Sequence, residues 1–143
     1  QPLHLTEDID MVDQTLGIRG RWTYAFRDLL NAGTVLALGS DCPVVSPNPY
    51  LGIQAAVTRQ RADGTPSEGW YPEQRLTVEE AVYGYTMGTA IAAGTENMQG
   101  SLTPGKLADL VVLEDDIFEI PPLEIGKTQV KLTVFDGEVV FIK

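Results

Sequence analysis

Residues 35–38 form an apolar run, Val-Leu-Ala-Leu, with no polar side chain alternating between the apolar ones. A strand covered on both faces has this pattern, and such strands belong mainly to parallel sheets in α/β proteins. Asp41 follows the run directly after Gly39 and Ser40. In α/β barrels and open α/β sheets, functional sites are built at the carboxyl ends of strands. The run therefore predicts an α/β fold and makes Asp41 a candidate site residue.

Three segments have the apolar spacing of helices. The first covers residues 21–33, with one apolar face that we expect to be buried. A shorter helix is predicted over residues 51–61. The third begins at Thr77, because its hydroxyl and the carboxylate of Glu80 fit a capping box, and Gly94 closes it. The apolar stripe of this third helix comprises Val78, Ala81, Val82, Tyr85, Thr89 and Ala92.

The character of the chain changes after residue 100. Residues 108–113 form a β-rich run, and two further apolar runs lie on either side of the pair Asp136-Gly137. Asp-Gly between such runs is a strong hairpin signal, because a type I′ turn needs positive φ at both central residues. We therefore expect an α/β part followed by an antiparallel β tail with a hairpin turning at Asp136-Gly137.

Charge and cysteine content narrow the classes of partner and compartment. The chain has 20 Asp and Glu against 10 Lys and Arg, a formal net charge of −10 at pH 7. Such a field repels phosphate backbones and anionic lipid headgroups, so neither nucleic acid nor a membrane is an expected partner. No apolar stretch approaches the ~20 residues that a membrane-spanning helix requires. The single cysteine, Cys42, excludes an intrachain disulfide and favours a cytoplasmic location.

Two residues are candidates for chemistry. A carboxylate at the mouth of a buried strand, here Asp41, can ligate a metal ion and take a proton from an attacking water. The alternative is that Asp41 caps the following loop through backbone donors. The single histidine, His4, is a candidate metal ligand or substrate contact, or else a hydrogen-bonded or surface residue. One histidine and one such aspartate cannot complete a four-coordinate zinc site.

Four segments together resemble the C-terminal third of an amidohydrolase-superfamily enzyme. Residues 1–4, Gln-Pro-Leu-His, resemble a Gln-Pro-x-His motif at barrel strand 7, and residues 39–44 resemble a Gly-Ser-Asp-x-Pro motif at strand 8. Residues 76–90 are similar to the helix that follows, and residues 100–112 to the signature of the superfamily's small β domain. The closest resemblance is to the amidohydrolase family 3 branch, which includes proteins like N-substituted formamide deformylase.

The resemblance implies a fold and a reaction. Residues 1–98 would form the last strands and helices of a (β/α)₈ metal-dependent hydrolase barrel, and residues 99–143 the C-terminal strands of a composite β-sandwich domain. The parent enzyme would hydrolyse a C–N bond of the amide type in a small-molecule substrate, with a divalent metal ion that we expect to be zinc. Asp41 would contact the metal and handle the proton of the attacking water, and His4 would contact the substrate.

The chain is expected to be a piece of a longer protein. It starts at Gln1 inside the resemblance to strand 7, and a complete barrel needs ~250 residues. The other metal ligands that the resemblance implies would lie upstream, so the piece alone is expected to bind no metal and to be inactive. Exposed strand edges favour association, including a homo-oligomer. The alternative function is a non-catalytic binding or regulatory module derived from an amidohydrolase.

Overall fold

The computed structural model describes residues 1–143 and begins with helix α1 (Pro2–Leu16). Proline is common in the first turn of a helix, where its missing N–H would have no partner. Leu5, Ile9 and Val12 recur at helical spacing, and all three are buried. Residues 1–4, which we expected at the end of a barrel strand, therefore lie at the start of a helix.

The remaining elements follow in chain order: a 3₁₀ segment (Gly17–Trp22), α2 (Phe26–Asn31), α3 (Pro49–Thr58), a 3₁₀ turn (Pro72–Gln74), α4 (Val78–Tyr83), a π-helical segment (Gly84–Gly88), α5 (Thr89–Ala93), β1 (Leu110–Leu113), a 3₁₀ segment (Pro122–Lys127), β2 (Val130–Phe135) and β3 (Glu138–Ile142). The chain thus has a helical part followed by one three-stranded sheet. No helix in the structure has the length and apolar character needed to cross a membrane.

One apolar core joins the helices to the C-terminal part of the chain. Ile53 and Ala56 of α3 are buried in it together with the apolar face of α1. Ile117 and Ile125 belong to the same core, although both come from the region after β1. The backbone N–H of Gly126 also donates to Gln54 Oε1 at 2.9 Å. The 3₁₀ segment Pro122–Lys127 therefore docks on α3.

The prediction of a helix over residues 51–61 is confirmed by α3. The helix begins after Asn48, whose side chain accepts a hydrogen bond from the N–H of Tyr50 at 3.0 Å. It ends at Arg59, which adopts a left-handed conformation with φ of 56°. The Asn48 cap and the left-handed residue Arg59 each lie within one turn of a helix end. Local end signals of this kind can be identified in a sequence.

The capping box at the start of α4 is also confirmed. The hydroxyl of Thr77 accepts from the N–H of Glu80 at 3.2 Å, and Glu80 Oε2 accepts from the N–H of Thr77 at 2.7 Å. The predicted end at Gly94 is correct, since Gly94 is left-handed with φ of 69°. The sequence did not predict that the helical run widens into a π-helical segment between α4 and α5.

Replacement of Thr77 with alanine is expected to lower the free energy of unfolding by about 0.5–2 kcal/mol, because the side-chain acceptor of the capping box is lost. Urea denaturation of the wild type and the variant, side by side, measures the difference. Thr77→Ser keeps a hydroxyl acceptor and is the matched control, which should stay close to the wild type. Equal stability of Thr77→Ala and wild type would contradict the assigned role of the cap.

The helix predicted over residues 21–33 is largely wrong. Helix α2 covers only Phe26–Asn31, and Phe26 is its one buried residue. Trp22 lies in the preceding 3₁₀ segment, is 64% exposed and carries the guanidinium of Arg21 over its ring at 4.8 Å. Tyr24 has φ of 50°, which a continuous helix does not allow, and its hydroxyl donates to Asp8. The apolar spacing was misleading because this tertiary contact interrupts the helix.

The strand predicted over residues 35–38 is wrong as well, because no strand precedes β1. Leu38 is buried, whereas Val35 is 50% exposed. The N–H of Leu38 donates to the carbonyl oxygen of Gly84 at 3.0 Å, so it bonds to the helical run. A parallel strand exists only through hydrogen bonds to neighbouring strands. The structure has no strand beside this segment, and the side chain of Leu38 packs on the helical run at Gly84 instead.

The antiparallel β tail is confirmed, with strand order β1-β2-β3. Phe135 pairs with Glu138, and the turn between them has φ of 50° at Asp136 and 79° at Gly137. Two successive residues with positive φ are the requirement of a type I′ turn. The two residues between the paired strand ends thus determined the hairpin, as predicted.

Candidate active site

Asp41 lies in the loop that follows Leu38, and its backbone is in the left-handed region with φ of 57°. Residues other than glycine rarely adopt this conformation, and such strained positions cluster at functional sites. The side chain is exposed, and its carboxylate makes no hydrogen bond within the chain. The loop is capped by Ser40, whose Oγ accepts from the N–H of Cys42 at 3.3 Å. Asp41 is thus not the residue that caps the loop.

The helical run holds the segment that leads to Asp41. The N–H of Leu38 is bonded to Gly84, and the hydroxyl of Tyr85 donates to the carbonyl oxygen of Gly39 at 3.3 Å. Burial raises the pKa of Tyr85 to about 12, so this hydroxyl stays protonated and remains a donor at neutral pH. Two successive residues before Asp41 are therefore anchored through their main chain.

His4 lies in the first turn of α1 and reaches the same loop. Its Nε2 is 3.3 Å from the carbonyl oxygen of Ser40, across a separation of 36 residues along the chain. The ring donates to this oxygen in the tautomer that carries the proton on Nε2. His4 thus contacts the backbone of the residue that precedes Asp41.

The start of the chain lies in the same neighbourhood. Burial lowers the pKa of the α-amino group of Gln1, and the nearby negative charge of Asp41 opposes that shift. Gln1 is exposed as a residue and His4 is half-buried. The site is therefore an open surface formed by the first turn of α1 and the loop at Asp41.

The side chains at this surface supply one ligand of the type that a metal site uses. Asp41 offers a free carboxylate, a ligand type that divalent metal ions accept. His4 Nε2 is engaged with a main-chain oxygen, so that nitrogen is not free to act as a ligand in this arrangement. No group of three or more His, Cys, Asp or Glu side chains is placed to hold a metal ion. A complete site would therefore need ligands from outside this chain.

Tyr85 is the residue of this surface that the sequence pattern did not reveal. It was placed in the apolar stripe of the third helix, where an aromatic side chain is normally a packing residue. Its ring does pack against the core, but its hydroxyl bonds to a carbonyl 46 residues away. Helical periodicity indicates which side of a helix faces inward, and it contains no information on such a contact.

The sequence profile of the amidohydrolase family matches residues 1–141. The chain is 39% identical over 121 residues to Protein LONG AFTER FAR-RED 3 of Arabidopsis thaliana, covering 83% of this chain and 20% of that protein. It is 33% identical over 144 residues to a Bacillus subtilis (strain 168) protein named as the amidohydrolase YtcJ, covering 100% and 27%. It is 34% identical over 114 residues to N-substituted formamide deformylase of Arthrobacter pascens, covering 80% and 20%.

Two solved structures have the same fold over most of this chain. A metal-dependent hydrolase from Pyrococcus horikoshii OT3 superposes with a TM-score of 0.70 at 28% identity, covering 85% of this chain and 25% of that one. An amidohydrolase from Thermotoga maritima MSB8 superposes with a TM-score of 0.64 at 24% identity, covering 90% and 28%. The chain spans 20–27% of the length of the three curated relatives. With the family profile matching almost its whole length, this α/β chain belongs to the amidohydrolase family.

Proposed function

We propose that this chain is the C-terminal part of a metal-dependent hydrolase that acts on a C–N bond of the amide type. The observation that carries the proposal is the free carboxylate of Asp41, held on left-handed backbone next to the residue that His4 contacts, in a chain of the amidohydrolase family. A longer protein, the intact enzyme, would contain this chain. Its substrate would be a small molecule, and an N-substituted formamide is one candidate because a relative is named for that substrate.

A divalent metal ion, zinc in this proposal, would be held in part by Asp41 and would supply Lewis acidity when bound. Asp41 would accept a proton from the attacking water, since an ionised carboxylate has only acceptor atoms. His4 would contact the substrate through the edge of its ring that does not bond to Ser40.

We also propose that the apolar surfaces exposed in this chain are covered, in the intact enzyme, by the rest of a (β/α)₈ barrel and of a composite β-sandwich. Val35 is exposed, and a groove beside it is lined by Leu30, Leu36 and Tyr83. The sheet is uncovered too: Val139 is 59% exposed and Ile142 71%. Strands of a barrel beside residues 35–38 and strands of a second sheet would bury these surfaces. Residues 1–98 would then belong to the barrel and residues 99–143 to the sandwich.

The intact enzyme is expected to hold a divalent metal ion and to hydrolyse simple amides or N-substituted formamides. The 143-residue chain alone is expected to do neither, because one aspartate cannot complete a four-coordinate site. Elemental analysis and a product-release assay on both proteins, with and without a chelator, make the comparison. About one tightly held zinc ion per isolated chain, or hydrolysis by it, would contradict the proposal.

The exposed sheet favours a second candidate, a non-catalytic binding or regulatory module. β3 is an edge strand, and its residues are exposed along its whole length. Such an edge can pair with another strand, either from a partner or from a second copy of this chain. Metal analysis, the amide-hydrolysis assay and sedimentation of the intact protein distinguish the two candidates. The binding module is favoured over the hydrolase if the protein holds no metal, hydrolyses none of the amides and forms a stoichiometric complex or a homo-oligomer.

A further inference from the structure

The hydroxyl of Tyr85 lies at the point where the helical run meets the candidate active site. It donates to the carbonyl oxygen of Gly39 at 3.3 Å, and it is packed so closely against α3 that a Cβ at Gly52 would lie 1.9 Å from its oxygen. A glycine at position 52 is thus required to admit the hydroxyl. The tyrosine is half-buried, and its close packing on α3 fixes the direction of its hydroxyl.

The residues on either side of Gly39 are held in the same way. The N–H of Leu38 donates to Gly84, and the carbonyl oxygen of Ser40 faces His4 Nε2 at 3.3 Å. Each of the three residues before Asp41 therefore has one main-chain group fixed by a different partner. The carboxylate of Asp41 itself has no hydrogen bond in the chain, so its direction depends on the backbone that these three bonds hold.

Tyr85 is placed for this contact by the π-helical segment Gly84–Gly88. A π-helical turn is wider than an α-helical turn, and such turns are frequent at functional sites. Gly84 and Gly88 carry no side chain on the face toward residues 36–38, where added Cβ atoms would lie 2.7 Å from Leu38 Cδ1 and 2.0 Å from Leu36 O. The two glycines let the segment lie directly on the helix, within reach of the Tyr85 hydroxyl.

We propose that Tyr85 is a positioning residue that directs the Asp41 carboxylate, through its hydrogen bond to the Gly39 carbonyl. This inference rests on the proposed function, because it assigns Tyr85 to the chemistry of Asp41. The hydroxyl of Tyr85 makes no hydrogen bond to Asp41 and acts through the backbone of Gly39. Without its hydroxyl, the Gly39 carbonyl has no protein donor, and only the bonds of Leu38 and Ser40 hold the backbone on either side of it.

The test uses the intact enzyme with four variants: Tyr85→Phe, Asp41→Asn, the double variant and Tyr83→Phe. Tyr85→Phe keeps the ring and is expected to lower kcat by about 10- to 100-fold with KM nearly unchanged, since misplacement of a reacting group has effects of this size. In the Asp41→Asn background, the same change is expected to have no further effect, because the carboxylate that it positions is gone. Tyr83 belongs to the same helical run, its hydroxyl makes no hydrogen bond within the chain, and its Phe variant is the matched control.

Three results would overturn the inference. The first is a kcat of Tyr85→Phe within about threefold of the wild type. The second is that Tyr85→Phe lowers kcat by the same factor in the wild type and in the Asp41→Asn variant, which would indicate a merely structural role. Turnover unchanged by Asp41→Asn would reject the proposed function together with the inference, whereas the first two reject the inference alone. Gly52→Ala is a second route, because it displaces the hydroxyl without removing it, and it should lower kcat only when Asp41 is present. All rates are measured well below the lowest melting temperature of the set.

Discussion

The Asp41→Asn variant of the intact enzyme is expected to lose turnover by about 10²–10⁴-fold, the usual contribution of a positioned general base. Asparagine is nearly isosteric with aspartate, so packing and most substrate binding should persist, but its amide cannot accept the proton at neutral pH. A lost metal contact would add to the effect. The measurement is kcat and KM together with the melting temperature of the same preparation.

Asp63 provides the matched control for this variant. Its carboxylate accepts hydrogen bonds from the N–H of Thr65 at 2.9 Å and from its hydroxyl at 2.7 Å, so it is a loop-capping aspartate of the kind that Asp41 is not. Asp63→Asn removes the same charge and should leave turnover unchanged. If Asp41 had no part in the chemistry, its exposed and unbonded carboxylate could be replaced by the amide with nearly normal kcat and a stability change within about 0.5 kcal/mol. That result would remove Asp41 from the mechanism.

Gly88→Ala is expected to destabilise the protein by about 1–3 kcal/mol, the typical cost of overpacking. The backbone of Gly88 is α-helical, with φ of −60°, so helix propensity alone would favour alanine by roughly 1 kcal/mol. The added Cβ, however, would lie 2.0 Å from the carbonyl oxygen of Leu36. Backbone cannot rotate away as a side chain can, so the segment 36–38 must move off the helix. Chemical denaturation of both proteins measures the loss.

Two nearby substitutions are expected to lower the stability less than Gly88→Ala does. Gly84→Ala brings a Cβ to 2.7 Å from both Cδ1 and Cγ of Leu38, a side chain and not backbone, and should cost less than Gly88→Ala. Thr86 is exposed on the same π-helical segment, and Thr86→Ala should change stability by no more than about 0.5 kcal/mol. A Gly88→Ala protein as stable as the wild type, or more stable, would show that residues 36–38 do not depend on this close approach.

The sequence by itself determined the local features of this protein. The capping box at Thr77, the hairpin turn at Asp136-Gly137 and helix α3 all depend on side chains within a few positions of one another. The antiparallel β tail followed from the same short-range signals, whereas the strand expected in the preceding α/β part is absent. The candidate residues His4 and Asp41 were also identified from the sequence, because the resemblance to the amidohydrolase superfamily assigned both to one site.

Tertiary structure alone decided how that site is held together. The apolar run 35–38 was consistent with a strand, but a parallel strand needs neighbouring strands, and here the helical run satisfies Leu38 instead. The apolar spacing of residues 21–33 suggested one helix, and the contact of Tyr24 with Asp8 broke it. The bonds of His4 and Tyr85 to the loop before Asp41 span 36 and 46 residues. Such contacts depend on how α1 and the π-helical segment pack around the loop, and short-range periodicity contains no information on that packing.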